Sequence, residues 1–301
     1  MLTASRRIFM KIRVVKYIGV VLGLAFSIAS PAFAQEGDLP SDDLPCVYPR
    51  MDQMDLHLRA MVTQSGRAFK FDYFVENRSG TTFQPLEQIA VQAFPGVGTD
   101  FAQASQAHWD AEGAFTDSEF YSWINLESPQ GLYPGQSSGG LGFAQADLPV
   151  IARFMAWNYV SEPPSFPEGM APESCEGTDL FENSFKGKTV GPKPPPQTFV
   201  PLEFLNYLIA LLHDSRQQVW ITRDRVHQSL LAKLINAKRK LEAGQSHVAK
   251  NMLKAFLHEV RATSCPEFTC PGNKPLTSEA YALLYFNGRY LLEHLPKPTD
   301  D

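Results

Sequence analysis

The hydrophobic pattern of this chain changes period once, and a run of prolines marks the change. Upstream of Gly191-Pro192-Lys193-Pro194-Pro195-Pro196, apolar residues alternate with polar ones; downstream of Val200 they recur every three or four residues. Period two is the signature of a half-buried strand, and a period near 3.6 that of an amphipathic helix. Consecutive prolines extend neither element, so residues 191–199 read as a semi-rigid linker between two regions of different fold. The expectation is an α+β protein, with an N-terminal antiparallel β-sandwich over 47–190 and a C-terminal antiparallel helical bundle over 200–296.

Residues 53–63, 67–77, 86–94, 119–126 and 148–160 are rich in aromatic and aliphatic side chains. Turn-forming clusters such as Gln64-Ser65-Gly66, Arg78-Ser79-Gly80 and Pro134-Gly135 separate them. In 67–77, Phe69, Phe71, Tyr73 and Val75 alternate with Lys70, Asp72, Phe74 and Glu76, one apolar face and one mostly polar. Short strands at this spacing, without helices between them, point to a sandwich. Beyond the prolines, Leu202, Leu205, Leu208, Ile209 and Leu212 mark one helix face. Val226, Leu230, Leu234, Ala237 and Leu241 mark a second, with Thr222 as its expected cap and Gly244 as its stop. Val248, Met252, Phe256 and Val260 mark a third. A fourth begins at Thr277 or Ser278, with Glu279 in its first turn and Leu284, Leu291 and Leu295 on one face.

The stretch from Ser229 to Ala262, S-L-L-x-K-L through L-x-x-G to A-x-N-x-L-x-A-F, followed by "LTSEAYALLYFNGRYLLEHL", resembles the C-terminal FIVAR-like helical module of secreted bacterial proteins. The preceding "FENSFKGKTVGP" is similar to the closing strand of the immunoglobulin-like sandwich that accompanies it. The resemblance implies this two-part architecture over most of 47–295 and implies no catalytic residue.

The N-terminus reads as an export signal. Arg6, Arg7, Lys11, Arg13 and Lys16 precede an apolar run from Tyr17 to Ser30, and Ala32-Phe33-Ala34 supplies a small-x-small cleavage site. Residues 1–34 are the expected signal peptide, 35–46 a flexible leader, and the location secreted or periplasmic. Losing those five cations leaves 22 of the 27 Lys and Arg against 32 Asp and Glu, a net charge of −10. That balance argues against nucleic acid as a partner, and no later stretch is apolar enough to span a membrane. In an oxidising compartment the four cysteines Cys46, Cys175, Cys265 and Cys270 read as disulfides. Three pairings are possible; Cys265 with Cys270 and Cys46 with Cys175 are favoured.

Few motifs suggest chemistry. Gly135-Gln136-Ser137-Ser138-Gly139 matches the G-x-S-x-G pattern, but a nucleophile elbow needs a following helix, and Gly140-Leu141-Gly142-Phe143 reads as a strand. Gly187-Lys188-Thr189 has Glu182 where a phosphate-binding loop needs glycine, and His258-Glu259 has Ala262 where a zinc site needs its second histidine. A calcium site using Asp100, Asp110, Glu112 or Asp117 is an alternative without a loop motif behind it. The aromatic residues are the main binding candidates: Trp109, Trp123 and Tyr133, with Trp109 and Tyr133 expected at the surface among turn residues. The leading expectation is a non-catalytic exported binding or structural module with no cofactor, its partner an extracytoplasmic protein or glycan. The alternatives are a hydrolase assembled from distant residues and a carbohydrate-binding sandwich.

Overall fold

A computed structural model of the chain describes residues 54–80, 85–93, 109–114, 120–125, 131–157, 184–268 and 273–296, all within the compact unit Leu44–Asp301. The expected signal peptide and leader, together with Cys46, Cys175 and Cys270, lie outside the described residues. Among the described residues eight strands precede the helices: β1 Leu56–Ser65, β2 Ala68–Asn77, β3 Gln88–Gln92, β4 Asp110–Ala114, β5 Phe120–Ile124, β6 Ser137–Gln145, β7 Leu148–Trp157 and β8 Phe185–Lys193. They form two antiparallel sheets, ordered β1-β2-β6 and β4-β5-β3-β7-β8. The chain is therefore α+β.

The alternation in β2 works as its sequence dictates. Phe69, Phe71, Tyr73 and Val75 are buried, and they turn toward the second sheet. Tyr73 meets Trp123 of β5 with ring centroids 5.6 Å apart, and Phe143 of β6 meets Tyr121 at 4.4 Å. The Tyr73 hydroxyl donates to the Val190 carbonyl of β8 at 2.9 Å. Burial first, then Asp72 and Tyr121, raises the Tyr73 pKa well above 10, so the phenol stays neutral and remains a donor.

The helices are α1 Pro201–Gln217, α2 Asp224–Glu242, α3 Ser246–Thr263 and a C-terminal helix. The last consists of α4 Ser278–Tyr281, a π-helical turn Ala282–Phe286 and α5 Asn287–His294. Gly244 closes α2 as expected, at φ +73°. Its N–H donates to Leu241 O and that of Gln245 to Lys240 O, the paired bonds of a Schellman cap. Thr277 caps the C-terminal helix, accepting from Ala280 N. Thr222 does not cap α2; its hydroxyl bonds the Pro275 carbonyl instead. Phe256 and Val260 of the expected α3 stripe are fully buried, whereas Met252 is half-buried and Val248 exposed; Ala249, Leu253 and Leu257 complete the buried face. Two adjacent apolar columns run along this helix, and the buried face takes the second over the first two turns and both beyond them.

The boundary differs from the expected linker. β8 continues to Lys193, so Gly191, Pro192 and Lys193 belong to the sheet, and the extended connection to α1 is Pro194 to Val200. Pro192 is tolerated because β8 is an edge strand. The Val190 carbonyl faces away from β7 toward Tyr73, and by period two Pro192 faces that open side, where no ladder bond needs its missing N–H. The two halves also share one core. Phe69 of β2 lies edge-on to Phe286 of the π turn at 5.0 Å, and Asn287 Nδ2 donates to the Pro149 carbonyl of β7 at 2.8 Å.

Candidate functional site

A cleft of about 550 Å³ lies where the sheets meet the helical half. One wall is β1 from Leu56 to Arg59. A second is Phe154 of β7 with Phe185, Gly187 and Lys188 of β8. The third comes from the α1–α2 connection, the loop after α3, and the start of α4. Backbone bonds hold that third wall in place: Thr222 N donates to Pro275 O, Cys265 N to Leu276 O, and Thr277 N to Trp220 O. Leu276 bridges Ile221 on one side and Ser264 on the other.

Of the three strands that line the cleft, β1 and β8 are edges among the described residues. Among those residues, β1 has β2 on one side and no strand on the other. Asp55 O accepts from Arg78 N on the β2 side, whereas Ala60 N donates to the Glu279 carboxylate, Oε1, at 2.7 Å on the open side. Backbone groups alternate sides along a strand, so Leu56 and Leu58 present their N–H and C=O groups outward as Ala60 does. In β8 the same rule, anchored by Val190, turns the backbone of Lys188 to its open edge. Two rows of strand backbone thus border one cleft, and the buried Glu279 closes it at Ala60.

Charged groups line the same region. Arg59 bonds Glu76 at 3.0 Å and the Phe268 carbonyl at 2.7 Å, with its guanidinium 4.8 Å from the Phe74 ring centroid. Burial opposes the Glu76 carboxylate, but the Arg78 hydrogen bond and the charges of Arg78 and Arg59 outweigh it and hold its pKa below the usual value. His57 is shifted down, by burial first and by Arg78 next, against the pull of Glu76 and Glu279. Lys188 and Lys274 are exposed at the rim.

The chain matches no protein-family model. It matches no curated protein sequence either. Among solved structures, one likeness is to an immunoglobulin-like protein from Nocardia farcinica, at 16% identity over 44% of this chain and 97% of that one, with a TM-score of 0.27. Another is to a chain of the type VI secretion TssK-TssF-TssG baseplate subcomplex, at 10% identity over 71% and 69% of the two chains, with a TM-score of 0.17. Likenesses this low carry no conclusion about this protein.

The aromatic candidates separate. Trp123 is 1% exposed against Tyr73 and Phe143, and Trp109 is 4% exposed in the same core. Neither is a surface platform; both fill the space between the sheets, where large rings bury the most apolar area. Turn residues flank Trp109, yet it leads directly into β4, and that strand draws it inward. Tyr133 is 40% exposed as expected and lines neither cavity described here.

Ser137 opens β6, after the Pro134-Gly135 turn, with Gly135 at φ +84°. Cross-strand register places it opposite Glu76, and Glu76 opposite His57. The row reads His57, Glu76, Ser137, with the carboxylate in the middle. A nucleophilic triad needs the imidazole beside the hydroxyl, and here they stand two strand spacings apart, roughly 10 Å. Gly187, Lys188 and Thr189 lie within β8, not a phosphate loop. His258 is exposed on α3, while its neighbour Glu259 pairs with Lys233 of α2. Asp100 and Asp117 lie outside the described residues, and the side chains of Asp110 and Glu112 are likewise not described. Cys265 is disulfide-bonded, to a partner outside the described residues. The residues that sequence reasoning missed are Glu279 as an edge stop and Arg59 as a clamp. A buried-helix carboxylate in the otherwise apolar "SEAYALLYF" was the available signal for the first.

Proposed function

We propose that this protein is an exported, non-catalytic binding module whose cleft receives an extended acidic peptide by strand addition. On this reading the two sheets form an immunoglobulin-like sandwich, the helices form a FIVAR-like bundle, and Cys265 pairs with Cys270 while Cys46 pairs with Cys175. The observation that carries the proposal is the cleft bordered by the outward backbone of Leu56, Leu58 and Lys188. Open strand edges bind extended chains through main-chain hydrogen bonds, and flanking pockets read alternate side chains. Lys188 and Lys274 at the rim favour carboxylates at the alternate positions that face solvent. The N-terminal basic and apolar run supports export.

Display of random octapeptides against the chain from Gln35 onward tests the reading. Selected peptides are expected to be acidic, to lose at least tenfold in affinity when alternate backbone nitrogens are methylated, and to weaken with Lys188→Glu. Selection of no peptide, or binding indifferent to N-methylation, overturns it.

A further inference from the structure

A second cavity, of about 330 Å³, lies on a different part of the junction between the β and helical halves. Its walls are Leu148 and Val150 of β7, the Pro194–Pro196 run, and Phe204 and Tyr207 of α1; Asn287 also lines it. Asn287 is fully buried at the first position of α5, directly after the π turn. Its Nδ2 donates to the Pro149 and Leu283 carbonyls, both at 2.8 Å. Two carbonyl partners leave no ambiguity in the amide: the NH₂ faces them, and the oxygen faces elsewhere. That oxygen, Oδ1, has no hydrogen-bond partner among the described residues. A buried amide oxygen without a donor is a costly group for a fold to retain, and π turns occur disproportionately at binding sites.

We infer that this cavity is a binding site for a small, uncharged, largely apolar molecule that carries one hydrogen-bond donor, of the phenol or indole class. The apolar walls supply the contact, and Asn287 Oδ1 receives the donor. Lys193 and Glu203 also line the cavity, both on exposed positions and of opposite sign, so they favour no net charge, and the buried Asn287 amide is neutral. Burial, with Asp214 adding to it, pushes the Tyr207 hydroxyl up to about 12, so this phenol stays neutral. Fixed by its two carbonyl bonds, the amide is preorganised, and a ligand that lacks a donor leaves Oδ1 unsatisfied.

The test is titration of the chain with indole and with benzothiophene, which matches its shape without the N–H, followed by ligand-induced changes in NMR spectra. Phenol and toluene form a second pair. Each donor compound is expected to bind at least tenfold more tightly than its partner. Val150→Phe, which fills the cavity, is expected to abolish binding with an unchanged circular dichroism spectrum. Binding of neither donor compound, equal binding within both pairs, or indole binding unaffected by a folded Val150→Phe variant overturns the inference. The pairwise comparison uses the unaltered chain, so it decides the matter even if the variant does not fold. Peptide binding in the larger cleft is read separately and is independent of either outcome.

Discussion

Glu279 Oε1 accepts the backbone N–H of Ala60 at 2.7 Å, a bond between residues 219 positions apart in the chain. Glu279 is 3% exposed, and Ser278 Oγ lies 3.3 Å from its other carboxylate oxygen. The bond does two things. It stops the open edge of β1 from pairing beyond Ala60, and it joins the first strand to the last helix. Removing the acceptor leaves a buried N–H unsatisfied. Glu279→Ala is expected to cost about 2–3 kcal/mol, and Glu279→Gln, which keeps an acceptor oxygen, less than half as much. Urea denaturation of the two variants checks this; equal losses would mean that the carboxylate does not hold the edge.

Two histidines set the expected acid response. His57 is shifted down by burial and then Arg78, His227 by burial and then by His213 and Arg216. The His213 and His227 rings are 5.1 Å apart, so a charge on one opposes a charge on the other. A histidine with a folded pKa below its unfolded value binds fewer protons in the native state. Above about pH 6.5 both states are neutral and the shift contributes nothing. Below it the unfolded chain takes up protons first, and stability falls until the folded pKa is passed. The melting temperature is therefore expected to drop between pH 7 and 5. His57→Gln with His227→Gln is expected to flatten that drop, and an undiminished slope in the double variant would refute the assignment.

The tryptophans yield a direct test of core against surface. Trp123 sits between Tyr73 and Phe143, with a ring-centroid distance of 6.2 Å to the latter. Trp123→Ala is expected to destabilise by about 3–5 kcal/mol, the range for removing a large buried ring. Trp109→Ala is expected to lose stability as well. Chemical denaturation followed by Tyr and remaining Trp fluorescence measures both, and a loss under about 1 kcal/mol in either would place that ring outside the core.

What the sequence discloses here is what depends on near neighbours. The alternation in Phe69 to Val75 defines a strand face without knowledge of the partner sheet, and Gly244 ends α2 because a left-handed cap residue is a local requirement. β4 was not legible: it is five residues long, with a register shift between Ala111 and Gly113 that breaks any period. Pro192 marked a linker by composition, and only its place on an edge strand makes it compatible with a sheet. The polar anchors were hidden for a related reason. Glu279 and Asn287 answer to Ala60 and Pro149, 219 and 138 positions away, and no local pattern encodes such a pairing. Both are nonetheless polar residues in an apolar helix, and that mismatch is the trace they leave.

Val219 yields the last prediction. α1 ends as α2 does: Val219 N donates to Arg216 O and Trp220 N to Ser215 O, the same paired bonds that Gly244 and Gln245 make. In α2 the left-handed position is glycine; in α1 it is a valine at φ +61°, a conformation that β-branched side chains strongly disfavour. The side chain gains little from burial in return, being 64% exposed at the rim of the cleft. Strain of this kind persists where a side chain is useful in place, and a peptide in the cleft would cover this one. Val219→Gly is expected to raise stability by about 1 kcal/mol through release of the strain, offset in part by the freedom that glycine adds to the unfolded chain. The same substitution is expected to weaken the selected peptides. A gain in stability with unchanged peptide affinity would leave the cap reading intact and remove Val219 from the binding surface; a loss of stability would defeat the cap reading itself.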